Sequence, residues 1–410
     1  MSRYDILVVG GGPVGSRVAA RLAVAGHQIA VLEKNPSVGN PVCCTGIVSQ
    51  ECLKRFVIPS NLVLKELNSA SIFSASGSLL KLERSEKQAA VIDRGAYNAY
   101  MARQAQESGA DYLLAHRVTA IQINPDGVVA SVDCNGKILI FEGRALVLAC
   151  GFGSKLVEEM SLGRMRDWAA GAQAEVEAGD LKEIEIYLGR DVAPGSFAWL
   201  VPAGGSRALA GLMTRRGADG YLDRFISHLR AEGKIVGDSA KPLYRGVTLR
   251  PAARTYGSRL LLVGDVAGQV KPLTGGGIYF GLLCADMAAE VLYKALETGD
   301  FSAAFLSGYQ KAWRRLLGRE IGLGYLARRL YQVLGDRWLD YVIRIAQRRG
   351  LARSLAAMPE IGFDWHGRAI LHAMHQVIMP LYASNVSKAC NLDTVEVKSN
   401  DRGQLTNNAE

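Results

Sequence analysis

The segment from Asp5 to Glu33 constrains this chain more than any other. Asp5-Ile-Leu-Val-Val-Gly10 is a short apolar run rich in β-branched residues, the pattern of a strand buried on both faces. It leads directly into Gly10-Gly11-Gly12-Pro13-Val14-Gly15, which fits G-x-G-x-x-G. A helical pattern follows, with Val18, Leu22 and Val24 among alanines, and stops at Gly26. Gln28-Ile-Ala-Val-Leu-Glu33 is then a second strand ending in an acid. Strand, glycine turn, helix and terminal acid together make a dinucleotide-binding fingerprint. Gly10 permits the tight turn, Gly12 lets a pyrophosphate approach the backbone, and Gly15 lets helix and strand pack closely. The helix N-terminus offers free N–H groups and a positive dipole end to the phosphates. Glu33 stands where a carboxylate accepts ribose hydroxyls. The bland alternative is a glycine-rich βα turn of some other α/β fold. An acid rather than a base at position 33 disfavours a 2′-phosphate, which leaves FAD or NAD.

The rest of the chain has room for such a fold. With 410 residues, 49% hydrophobic and 21% charged, it reads as two or three globular domains or one large fold with insertions. Wholesale disorder and collagen-like repeats are excluded. No apolar stretch approaches the roughly 20 residues that span a bilayer. Asp5 precedes only a short apolar run, so the N-terminus lacks the shape of a signal peptide. Seven cysteines, an odd number without paired spacing, suit a reducing compartment, and the expected location is cytoplasmic.

A second block decides between the two nucleotides. Arg259-Leu-Leu-Leu-Val-Gly264-Asp265 is another buried strand, ending in Gly-Asp. Beyond Gly268 come Pro272 and Gly275-Gly276-Gly277-Ile278, then a long alanine-rich helix to about Leu296. A carboxylate at a strand end can bond a ribityl hydroxyl, and glycines opening a helix let N–H groups reach a phosphate or a flavin oxygen. This block resembles the FAD-binding pattern of the para-hydroxybenzoate-hydroxylase-like flavoproteins. Asp93-Arg94, opening a helix from Ala96 to Ser108, is similar to the segment that brings an arginine to the flavin in those proteins. The run from Ala145 to Ser154, with Gly151 and Gly153, resembles their A-x-G-x-x-S strand. The expected cofactor is FAD.

Narrower features lie between these blocks. Pro194-Gly-Ser-Phe197-Ala-Trp199-Leu-Val-Pro202 resembles the P-x-x-Y-x-W-x-F-P signature of the geranylgeranyl reductase family. Asn40-Pro41-Val42-Cys43-Cys44-Thr45-Gly46-Ile47 resembles that family's cysteine-and-glycine segment. The resemblance covers roughly residues 1 to 330. It implies a two-domain FAD fold that reduces isolated C=C bonds in geranylgeranyl chains of lipids or related prenyl compounds. It further implies FAD contacts at Val14, Glu33, Cys44, Thr45, Arg94, Val118, Asp265, Gly277 and Ile278, beside Gly10, Gly12 and Gly15 of the turn. Phe197, Trp199 and Pro202 would line the isoprenoid cavity. The signature tyrosine is Phe197 here and the penultimate aromatic is Val201. Without the family, aromatics at i and i+2 still put both rings on one face of a strand, a wall suited to an alkyl chain or an ordinary core.

The expected architecture is α/β with an α+β insert. Residues 1–55, 87–160 and 246–300 form the FAD-binding Rossmann-like domain, and 56–86 and 161–245 an antiparallel substrate sheet. Residues 301–380 are helical and 381–410 a disordered tail. Strands are predicted at Ala170–Val176, Ile184–Leu188, Phe197–Val201 and Ala208–Met213. Cys43, Cys44, Tyr279 or a flavin-bound water are the candidates to supply a proton. His372 and His375 stand at helical spacing but without further ligands, so no metal is expected. One nucleotide fingerprint leaves the reductant as a transiently docked NAD(P)H or a ferredoxin-like carrier. A flavin monooxygenase or halogenase, or a non-catalytic flavin-containing lipid-binding protein, would use the same scaffold.

The formal charge of +9 is concentrated. Lys311 to Arg353 holds eleven Lys or Arg and three acids, hence eight of the nine charges, interleaved with Trp, Leu, Ile and Tyr. The remainder is close to neutral, which removes a general nucleic-acid binder. The basic window reads either as an interfacial helix on an anionic membrane or as a solvated helical face.

Overall fold

The computed structural model describes residues 3–39, 42–160, 162, 167–358, 362–373 and 375. The predicted tail from 381 lies outside them. The N-terminal fingerprint folds into a parallel sheet: Arg3–Val9 lies between Ile29–Leu32 and Lys137–Leu148, with Asp111–Leu113 and Leu260–Leu262 at the flanks. Ile6 and Val8 face one apolar cluster, Leu7 and Val9 another, which is why the first strand has no polar alternation. The hairpin Arg117–Asn124 and Gly127–Cys134 extends from the first half of Lys137–Leu148. Helices Pro13–Ala23, Arg94–Glu107 and Ile278–Thr298 cover the first face.

A second, mostly antiparallel sheet runs in the order Ile235–Val236, Trp168–Ala178, Arg207–Thr214, Phe197–Pro202, Ile184–Leu188, Ser69–Phe73 and Leu79–Glu83. Leu243–Thr248 also pairs with Trp168–Ala178. All four predicted strands are present. The stretch 161–245 is not all strand, however, because helix Ala218–Ala231 interrupts it. Its Leu222, Phe225, Ile226 and Leu229 recur at i, i+3, i+4 and i+7 and bury against Ala172, Ala174, Ala198 and Leu200. Alternation then turns Phe197, Trp199 and Val201 to the opposite face. A small third sheet joins Ile47–Ser49, Ala89–Ile92 and Val63–Leu67.

From Ala303 the chain is helical: Ala303–Val333, Asp336–Arg348, Leu351–Ala356 and His366–Ala373. Tyr309, Trp313, Leu317 and Ile321 form the buried stripe of the long helix, while Leu316, Leu330 and Trp338 stay exposed. No helix among the described residues is long and apolar enough to cross a membrane.

Candidate functional site

The glycine turn is built as its spacing requires. Gly10 has φ +107°, and a Cβ there would meet the Ala149 carbonyl oxygen at 2.6 Å; a Cβ on Gly15 would meet the Gly10 oxygen at 2.0 Å. A Cβ on Gly12 would meet nothing within 4 Å, so open space lies above it, where a phosphate needs it. Glu33 is buried, and its carboxylate accepts from Gly11 N (2.7 Å) and Asn35 N (2.8 Å). Each oxygen keeps a lone pair for a ribose hydroxyl. Tyr112, which motif reading missed, donates to the Gly11 carbonyl and lies within 3.0 Å of Ser16 Oγ, clamping the turn. Val118 follows residues 115 and 116, whose N–H groups bond Asn35 and Glu33 oxygens. Its side chain is buried in the cluster of Leu7, Val9 and Leu32.

Val14 joins this turn to the second block, since a Cβ on Gly281 would touch it at 2.7 Å and one on Gly264 at 3.1 Å. Asp265 sits just past strand Leu260–Leu262 and accepts from Arg245 Nη2 at 3.1 Å. Gly277 lies so close that a Cβ would meet Asp265 Oδ1 at 2.5 Å, and Ile278 then opens its helix. Arg94 begins a helix capped by Asp93, whose carboxylate accepts from Ala96 N at 2.9 Å. Gly46, at φ +71°, lets it pack against the cysteine segment. Arg94 Nε and Nη1 are buried with no partner among the described residues. Open space over Gly12, orphaned guanidinium nitrogens and a strand-end carboxylate beside a glycine cradle together fit a dinucleotide flavin.

From Cys43, Cys44, Thr45 and Gly275–Ile278 a cavity of about 480 Å³ runs between the second sheet and the small third sheet. Phe197 and Trp199 form one wall, with ring centroids 5.8 Å apart, together with Val201 and Met213. Pro202 does not line it. Period-two alternation turns Pro202 away with Ala198 and Leu200, and Val201 takes the place expected for it. The C-terminal region, which carries no motif, closes the far side with Leu355, Phe363, Asp364 and His366.

The polar groups around this apolar space are tied to its closure. Lys271, on the loop that holds Gly275–Gly277, donates to Asp364 Oδ1 at 2.6 Å, with both residues buried. Glu51 accepts from Trp365 Nε1 at 3.0 Å and from the Tyr279 hydroxyl. Glu320 accepts from Gly367 N at 2.8 Å. Burial and the Lys271 ammonium hold the His366 imidazole down at about 4, so it is neutral near pH 7. Burial first, then the neighbouring Cys44, pushes the Cys43 thiol up to about 11, and it donates to the Leu243 carbonyl at 3.4 Å. Described His, Cys, Asp and Glu residues form no group able to hold a metal; His372 Nε2 instead lies 2.6 Å from Ser354 Oγ.

No protein-family model matches the chain. It is 31% identical over 365 residues to digeranylgeranylglycerophospholipid reductase 2 of Methanothermobacter thermautotrophicus, covering 85% of this chain and 93% of that protein. It is 30% identical over 362 residues to the digeranylgeranylglycerophospholipid reductase of Methanoculleus marisnigri, covering 83% and 89%. A geranylgeranyl bacteriochlorophyll reductase-like protein from Thermoplasma acidophilum shares the fold, with TM-score 0.83 over 95% of this chain and 99% of that one at 24% identity. The p-nitrophenol 4-monooxygenase of Pseudomonas putida shares it more loosely, with TM-score 0.69 over 92% and 98% at 16% identity. With relatives at this identity over most of both chains, the chain belongs to the digeranylgeranylglycerophospholipid reductase family.

Proposed function

We propose that this protein binds FAD and saturates C=C bonds of geranylgeranyl chains in a lipid or related prenyl substrate. The observation that carries the reading is the apolar cavity, which joins the glycine cradle and cysteine pair at one end to the Trp199 wall. FAD, when bound and reduced, supplies the two electrons and one of the two hydrogens that saturation needs. Glu33, Arg94, Asp265 and the glycine turn hold it. Phe197, Trp199 and Met213 exclude water, and the ring faces favour positive charge developing on the alkene. Cys43 carries its thiol proton at neutral pH and stands at the cavity wall, and that position supports it as the proton source even though burial makes it a weaker acid than a free thiol. The single nucleotide site supports a reductant that docks transiently, NAD(P)H or a ferredoxin-like carrier.

The test is to reduce the purified flavoprotein with dithionite without oxygen, add a geranylgeranyl lipid, and follow flavin reoxidation and product mass. A product heavier by two hydrogens per bond is expected. Reoxidation only by O₂ with oxygen gained in the product would instead identify a monooxygenase. Bound FAD without any turnover would leave a lipid-binding flavoprotein.

A further inference from the structure

Trp199, Gly211, Gln173 and Leu243 are successive register partners on four adjacent strands, so they form one row across the substrate sheet. Two strand spacings, roughly 10 Å, separate the Trp199 and Gln173 backbones. The indole lies over the strand between them because Gly211 has no side chain: a Cβ there would meet Trp199 ring atoms at 2.5 Å and Nε1 at 2.7 Å. Gln173 is 5% exposed. Its neighbours Ala172 and Ala174 pack toward the covering helix, so alternation directs Gln173 to the cavity, whose wall it lines. Trp199 Nε1 and Gln173 Oε1 are both buried, and neither has a hydrogen-bond partner among the described residues. At the next position of the row, the Leu243 carbonyl receives the Cys43 thiol.

We propose that Trp199 and Gln173 form a subsite for one O–H group, whose oxygen accepts from the indole N–H and whose hydrogen is donated to the amide oxygen. The proposal rests on the isoprenoid reading of the cavity and adds a polar specificity to it. An indole nitrogen only donates and a carbonyl oxygen only accepts, so the complementary ligand carries both functions on one atom. Carboxylate, ammonium, ether and fully ionised phosphate lack that combination; a hydroxyl or a water has it. Two sources share the chemistry: the terminal hydroxyl of a free prenol, and a water enclosed beside a lipid chain.

The test uses geranylgeraniol, its methyl ether and digeranylgeranylglyceryl phosphate with the FAD-loaded wild type, Gln173→Met and Trp199→Phe. Gln173→Met keeps the side-chain length and removes the acceptor; Trp199→Phe keeps an aromatic face and removes the donor. If the group is the prenol hydroxyl, the wild type binds geranylgeraniol about tenfold more tightly than the ether, and Gln173→Met abolishes that preference. If it is an enclosed water, alcohol and ether bind alike and Gln173→Met shifts KM for alcohol and lipid by one common factor. Either result supports the subsite and names its source. Wild type and both variants with the same KM and kcat on all three compounds overturn it. Failure of the wild type to reduce any of them overturns the isoprenoid reading itself, a distinguishable result. The melting temperature of Gln173→Met is expected to equal or exceed that of the wild type, since an unpaired buried oxygen is removed; this separates a lost subsite from a lost fold.

Discussion

Arg94 carries two buried nitrogens that no described residue satisfies, at the edge of a cradle whose other polar groups are arranged for a ligand. An unpaired buried donor costs about 1–3 kcal/mol, which a cofactor acceptor returns on binding. Arg94→Met is therefore expected to weaken FAD binding about tenfold to a hundredfold while the apoprotein melts no lower than wild type. Fluorescence titration with FAD and a thermal melt of apoprotein check this. Unchanged affinity with a lower melting temperature would assign Arg94 to the core instead. Cys43 poses a different residue-level question. Its thiol titrates at about 11, raised from the ordinary value, so the thiolate fraction at pH 8 is small and grows only as pH rises toward that value. Alkylation by iodoacetamide at pH 8 should run on the order of a hundredfold slower than for an ordinary thiol. Mass spectrometry of the Cys43 peptide in a Cys44→Ser background reads the rate. Labelling as fast as a free thiol would remove Cys43 as a proton holder.

At the level of elements, the closing segment 362–373 is held by contacts of long sequence separation. Lys271 and Asp364 stand 93 residues apart, and both are nearly inaccessible. Asp364→Asn would leave the ammonium buried without its counter-charge, at a cost of about 3–5 kcal/mol. The double substitution Lys271→Met with Asp364→Leu should recover most of that loss, because two apolar groups replace the pair. Denaturant melts of the two single variants and the double variant measure the coupling; a fully additive double would mean that the two charges do not interact. This contact also marks the limit of sequence reading. Strand Arg3–Val9, the glycine turn and the Gly264–Ile278 block were legible because local spacing determines them. Phe197 and Trp199 were legible as a pair, since i and i+2 share a strand face. Pro202 was misjudged because a motif carries positions while the pleat decides which face they take. Helix Ala218–Ala231 left a clean apolar stripe, but Gly220 inside it and the strand-like runs on either side obscured the period. Tyr112, Gln173, Arg245 and Asp364 have no local signal at all, because only the assembled fold brings them to the site.

For the whole molecule, the charge excess resolves into two populations. Arg328 is inaccessible: its guanidinium donates to the Pro272 and Gly195 carbonyls, and burial brings it down to about 10. It belongs to the core that supports the loop carrying Gly275–Gly277. The other basic residues of 311–353 share their helices with exposed apolar side chains, notably Val333 (72% exposed), Leu326 (60%) and Trp338 (51%). Leu326, Leu330 and Val333 recur at i, i+4 and i+7, one stripe of helix Ala303–Val333. Trp338 and Tyr341 follow on the next helix, their rings 5.8 Å apart. That helix leads into Leu351–Ala356, whose Ala352, Leu355 and Ala356 line the cavity. An apolar and aromatic surface set among arginines, next to elements that wall the apolar cavity, suits peripheral contact with an anionic bilayer, where each cation near the surface contributes about 1 kcal/mol. The protein is expected to sediment with phosphatidylglycerol-containing vesicles at low salt, to bind pure phosphatidylcholine far less, and to be released as salt is raised. Val333→Ser with Trp338→Ser should lower the partition on the order of tenfold, through the apolar area removed, while activity on detergent-dispersed lipid persists. Absence of sedimentation at low salt would reduce this surface to a solvated helical face, and the lipid would then have to reach the cavity from a carrier or a micelle.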